Sequence, residues 1–84
     1  MEDSVAIHGN TWKLADIAED VALCKGLSWQ PSHYTKAGDH SHCAICWWSL
    51  TVSDDPTIGQ GYVSGTNHLI WLCSECYGKF IAIP

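Results

Sequence analysis

Two Cys-x-x-Cys pairs constrain this chain more than any other feature. Cys43-Ala-Ile-Cys46 and Cys73-Ser-Glu-Cys76 stand 26 residues apart in a chain of 84, and a fifth cysteine, Cys24, lies outside both. Leu, Ile, Val and Phe together number 18, an aliphatic supply close to that of disordered chains. A domain this small usually needs a staple: a disulfide, a metal or a partner. An odd cysteine count fits a disulfide framework poorly. Paired Cys-x-x-Cys motifs suit a tetrahedral Zn²⁺ site, because the two-residue gap lets the chain turn so that both sulfurs face one ion. Thiolate ligands also select Zn²⁺ over hard cations. The expectation is one structural Zn²⁺ per chain, held by Cys43, Cys46, Cys73 and Cys76. An iron–sulfur cluster, disulfides and a mixed Cys/His site are the alternatives. His40 and His42 are the histidines that would enter a mixed site or stand behind it, His40 through the spacing His40-x-x-Cys43.

Charge narrows the function. Nine acidic residues against four Lys and no Arg leave a net charge of −5. Four thiolates and one Zn²⁺ would deepen this to about −7. Nucleic-acid binding rests on Lys and Arg neutralising phosphates, and bidentate contacts require Arg, so nucleic acid is an unfavoured partner. A membrane surface is unfavoured for the same lack of a basic face. The first residues carry no basic stretch, and no apolar run approaches the roughly 18 residues of a span. A cytoplasmic protein is expected.

Along the chain, Val5 to Trp12 reads as a small hairpin or extended lead-in turning at Gly9-Asn10. A helical period then starts at Leu14. Leu14, Ile17, Ala18, Val21 and Ala22 fall on one face, Asp16, Glu19 and Asp20 on the other, and Gly26 is placed to stop it. Cys24, near the apolar face, reads as a buried core thiol. Residues 27–42 read as loop. Residues 43–46 form a knuckle and 47–52 a strand. Asp54-Asp55-Pro56 and Gly59-Gln60-Gly61 mark a long loop. Tyr62-Val63 and residues 68–72 form a hairpin, and Tyr77, Phe80 and Ile81 are spaced for a short C-terminal helix. The fold class is α+β. Residues 1–84 form one domain, with a helix-containing part over 1–38 and a metal-binding part over 39–84.

Cys43-Ala-Ile-Cys46-Trp47, a hairpin, and then Leu72-Cys73-Ser-Glu-Cys76-Tyr77-Gly78-Lys79-Phe80 resemble the treble-clef zinc finger over residues 40–84. The resemblance implies that two ligands come from a knuckle and two from the first turn of a helix. There, free N–H groups face the sulfurs. A zinc ribbon is the fold alternative if the tail is not helical. Asn67 and the second cysteine pair are also similar to the HNH-type nucleases among treble clefs. That pattern places a His directly after the final Cys, where Tyr77 stands here. It also places its Asp-His pair between the two Cys-x-x-Cys motifs, whereas Asp39-His40 precedes the first. Residues 14–23 resemble the first helix of helix-turn-helix regulators, but Pro31 leaves room for only a short second helix, with one Lys and no Arg.

These departures remove catalytic chemistry, and a closed four-cysteine sphere offers no position for a reactive water. The expectation is a non-catalytic, cytoplasmic, zinc-stabilised protein-interaction module with a protein partner. Its concrete form is an inhibitor or immunity-like protein that neutralises a basic enzyme, since acidic charge speeds capture of basic surfaces. The alternative is a nucleic-acid-associated protein, either helix-turn-helix-like or a degenerate HNH-type nuclease. Trp47 and Trp48 are the candidate partner-binding residues, as exposed aromatics anchor interfaces. In a core this poor in aliphatics, most of the five Trp are expected to serve as core.

Overall fold

In the computed structural model, which describes residues 3–65 and 69–82, short strands alternate with three helical segments. The first hairpin joins β1 (Ser4–Ile7) to β2 (Asn10–Lys13), with Ile7 opposite Asn10. His8-Gly9 is therefore the two-residue turn, one position earlier than the sequence suggests. Both turn residues have positive φ, 50° and 81°, as a type I′ turn requires; its twist matches that of the strands.

α1 (Leu14–Lys25) follows directly. Lys13 supplies no capping side chain, and Leu14 N–H donates instead to the Asp3 carbonyl at 3.1 Å. Gly26 closes the helix, donating to Leu23 O at 3.1 Å. The buried stripe is Ile17 and Cys24, with Leu14 and Val21 half-buried beside them. Ala18 and Ala22, expected on this face, are exposed. The 100° step per residue explains it: a stripe centred on Ile17 and Cys24 turns both alanines toward solvent.

β3 (Gln30–His33) lies where sequence reading placed loop. It pairs antiparallel with β6 (Gln60–Ser64), which pairs with β7 (Ile70–Cys73), giving the order β3-β6-β7. Pro31 is tolerated because β3 is an edge strand, where a missing N–H can face outward. β4 (Ser41–His42) and β5 (Ser49–Leu50) bracket the first cysteine pair as a two-stranded ribbon. The expected strand over 47–52 shrinks to Ser49–Leu50, because Trp47 has φ 65° and ends the knuckle instead of opening a strand. Within the expected long loop, α2 (Pro56–Gly59) forms one turn. Asp55 caps it, its carboxylate accepting from Thr57 N and Oγ1 at 2.9 and 2.8 Å. These bonds hold the Asp55 carboxyl below its usual range. Residues 66–68, including Asn67 and His68 of the expected hairpin, lie outside the described residues.

After β7 the chain enters α3 (Ser74–Cys76) and a π-helical turn (Tyr77–Ile81). The tail is helical as its spacing suggests, and Ala82 N–H reaches back five residues to Tyr77 O at 2.9 Å. The chain is thus an α+β structure with a cluster of four cysteines. Its main core gathers Ile7, Ile17, Cys24, Ile45 and Leu72 around Cys43, Cys46, Cys73 and Cys76. A second, smaller core holds Tyr34, Leu50 and Trp71. Gly61 lets β6 and β7 lie together: a Cβ there would sit 2.5 Å from the Leu72 carbonyl oxygen.

Candidate metal centre

Each cysteine pair is positioned by backbone. In the first, Trp47 N–H donates to Cys43 O at 3.0 Å and Cys43 N–H to Trp48 O at 2.9 Å, folding residues 43–48 into a tight knuckle. The left-handed Trp47 makes that reversal. Ala44 N–H then donates to Trp71 O at 2.8 Å, and a parallel bridge between Cys43 and Trp71 docks the knuckle on β7. In the second pair, Cys73 ends β7 and its sulfur caps α3, accepting from Cys76 N–H at 3.4 Å. Ile45 N–H points at Cys43 Sγ at 3.5 Å. The strand-to-helix junction and the knuckle therefore bring four sulfurs to one place.

All four Sγ atoms lie within 4.8 Å of one another. Cys46 Sγ and Cys73 Sγ are 3.6 Å apart. Four sulfurs about 2.3 Å from a tetrahedral ion stand about 3.8 Å from each other, so the cluster has the dimensions of a four-thiolate metal site. Cys43, Cys73 and Cys76 are buried, and Cys46 keeps 9% of its surface. On protein groups alone, four buried thiolates would repel one another. Hydrogen bonds from Cys46 first, then Cys73 and Cys76, hold Cys43 far below the usual thiol range. Cys73 and Cys76 are pushed up, chiefly by their hydrogen bonds to Cys43 and Cys46. A dication would remove this conflict, since it lets every sulfur ionise. The donor set and its spacing fit a soft or borderline metal.

Cys24 is not part of the cluster. It is buried on the inner face of α1, and its thiol is pushed up to about 11 by burial, then by the charges of Cys43 and Asp20. It is a protonated core thiol, capped nearby by Trp29 Nε1–H donating to Cys24 O at 2.8 Å. His40 and His42 also lie apart from the four sulfurs. His42 Nδ1 is 3.1 Å from Trp47 O and 3.4 Å from Ser49 Oγ, bracing the knuckle. His40 meets His42 edge-on at 4.9 Å and lines a cleft of about 460 Å³ with Tyr34, Lys36 and Trp71.

Among the described residues, the histidine that does reach the sulfurs is His8, which sequence reading missed. Its Nε2 is 3.3 Å from Cys73 Sγ and its Nδ1 3.7 Å from Glu75 Oε1, while its backbone N–H donates to Glu75 Oε2 at 2.8 Å. Its ring stacks on Trp48 at 3.7 Å and 11°. A turn-forming His-Gly pair was the available signal, but nothing in the spacing ties residue 8 to residue 73.

Of the two candidate partner-binding residues, Trp47 is 69% exposed. Trp48 is half-buried, its Nε1–H donating to Thr57 O at 2.7 Å. Both line a cleft of about 440 Å³ with Asn10, Cys46 and Ile58. Trp12 and Trp29 pack on the main core, and Trp71 is buried in the second, so Trp47 alone of the five presents most of its ring. Among the described residues, no helix is long and apolar enough to cross a membrane. No family model, curated protein or solved structure matches this chain.

Proposed function

We propose that this chain is a non-catalytic protein-interaction module stabilised by one Zn²⁺ on Cys43, Cys46, Cys73 and Cys76. Its metal-binding part is read as a treble clef. The order of knuckle, hairpin and Cys-x-x-Cys at the entry of a helical segment supports that over a zinc ribbon, in which the second pair would sit on a hairpin. Bound there, Zn²⁺ would supply a cross-link between the knuckle and the β7–α3 junction and charge compensation for four thiolates. A fourth sulfur in place of water leaves no site for a metal-activated nucleophile.

The observation that carries the interaction reading is Trp47. A large ring held 69% exposed beside a cleft offers a partner much area to bury, and Trp is enriched among binding anchors. Net charge −5, deeper with metal, favours a basic protein as the occupant. An inhibitor or immunity-like protein acting on a basic enzyme in the cytoplasm is the specific form of this proposal.

The test is capture of a protein partner by the immobilised, zinc-loaded chain and by its Trp47→Ala variant across a salt series. A basic protein retained by the native chain, released by salt and weakened at least about tenfold by Trp47→Ala supports the reading. Equal retention by the variant sinks it. Mg²⁺-dependent cleavage of DNA by the purified chain would replace it with a nuclease.

A further inference from the structure

We infer that His8 is a positioning residue of the metal centre: its Nε2–H donates to the Cys73 sulfur, while stacking on Trp48 and the hold of Glu75 on the His8 main chain keep the ring in that orientation. The inference rests on the metal reading proposed above and assigns a role to a residue outside the four cysteines.

The geometry is unusual for a hairpin tip. Residues at such turns ordinarily face solvent, yet the His8 side chain is only 11% exposed. It has φ 50°, a left-handed conformation that non-glycine residues seldom adopt. Three further elements hold it there. Glu75 of α3 accepts its backbone N–H at 2.8 Å and faces its Nδ1 at 3.7 Å. Trp48, behind the knuckle, stacks on its ring at 3.7 Å. Cys73, at the end of β7, presents its sulfur to Nε2 at 3.3 Å. The ring is thus fixed on one face by Trp48 and at Nε2 by the sulfur, and Glu75 anchors the main chain that carries it.

The chemistry follows from the sulfur. A thiolate bound to a dication still carries excess negative charge, and an N–H aimed at it stabilises the bound form. Cys43 and Cys73 each receive one backbone N–H, from Ile45 and Cys76. His8 would give Cys73 a second donor, supplied by a side chain. With Nε2–H pointing at sulfur, the ring is oriented by its stacking on Trp48 and by the carboxylate's grip on the His8 main chain. Groups that orient or hydrogen-bond metal ligands usually change affinity about 10- to 100-fold when removed. The same contacts tie the first hairpin to the metal centre, so the hairpin and the ion would stabilise one another.

Co²⁺ is the probe, titrated into the full chain, His8→Ala and His8→Gln, with Zn²⁺ affinity measured by chelator competition. The native chain should bind one Co²⁺ with sulfur-to-metal charge-transfer bands of four thiolates. His8→Ala should lose about 10- to 100-fold in affinity, and its charge-transfer band should move to lower energy as Cys73 becomes a stronger donor. His8→Gln, whose amide N–H can replace Nε2–H, should restore the band position. A purely structural role for His8 would change affinity but leave the band unmoved, and that result would overturn the assignment. A folded His8→Ala with unchanged band and affinity would do so too, leaving the metal reading intact. A native chain that takes up no Co²⁺ or Zn²⁺ would overturn both. Should His8→Ala not fold, the native chain loaded with ¹¹³Cd and labelled with ¹⁵N-histidine decides. Scalar coupling between ¹¹³Cd and the His8 Nε2–H across the sulfur supports the hydrogen bond, and its absence refutes it.

Discussion

The two cores of this molecule are built on different chemistry. The main one surrounds the four cysteines and draws residues from β1, α1, the knuckle, β7 and the C-terminal helical turns. The second is Tyr34, Leu50 and Trp71, with Trp48 and Val63 at its margin. The second is held by ordinary apolar contact, including Tyr34 and Trp71 rings 5.5 Å apart at 56°. The first places four sulfurs where apolar side chains would otherwise sit, and those sulfurs can all ionise together only beside a cation. Stability should therefore depend on metal on one side of the molecule and on packing area on the other. β7 belongs to both, since Trp71 fills the small core and Cys73 the large one.

The sharpest way to break this contrast is to remove a ligand. Chelation of the native chain should remove on the order of 10 kcal/mol of metal-binding free energy, and Cys73→Ser a large part of it. That equals the whole stability of many small domains. Loss of the cooperative thermal transition together with loss of zinc is the expected result. Full zinc and full stability in Cys73→Ser would refute the four-cysteine site. Next in size, Trp71→Ala should destabilise by about 3–5 kcal/mol while metal stoichiometry stays at one; denaturant melts beside metal analysis would separate the two cores. Gly61→Ala forces a methyl against the Leu72 carbonyl and should cost about 1–3 kcal/mol, read from the same melts. It acts on the β6–β7 seam that joins the two cores.

A pH experiment addresses Cys24, which packs on the metal side without being a ligand. Its folded thiol is pushed up to about 11, against 9.0 when unperturbed. Below pH 9 both folded and unfolded chains hold the proton and the group contributes no pH dependence. Between pH 9 and about 11 the unfolded chain releases it and the folded chain does not, so stability falls as pH rises. Cys24→Ala should flatten that part of the stability profile. The smallest effect belongs to Trp47→Ala, which should leave stability within about 0.5 kcal/mol because the ring is exposed. A large loss there would move Trp47 from surface to core.

What the sequence discloses follows the same division. The cysteine pairs announce the cluster because metal-ligand spacing is local within each pair. α1 announces itself by its 3.6-residue period and its terminal Gly26. β3 hides behind Pro31, because a proline argues against a strand until the strand is known to be an edge. Trp47 reads as strand because aromatics favour strands, and no local pattern marks it as the left-handed residue that closes a knuckle. The apolar face of α1 was set by what it packs on, so period alone placed Ala18 and Ala22 on the wrong side. His8 is the furthest from view. Its contacts join positions 65 and 67 residues apart, which only tertiary structure brings together.

The conformation of Trp47 also bears on the entropy of whatever meets its ring. Its N–H is tied to Cys43 O and its carbonyl faces His42 Nδ1, so both sides of the residue are clamped to the knuckle. Only two side-chain torsions are left to the indole, which is largely exposed and leans against the His42 ring at 5.3 Å. A surface closing over it would freeze little motion, because the backbone ordering was completed when the knuckle folded. The knuckle thus makes the most exposed aromatic ring of the chain a rigid one.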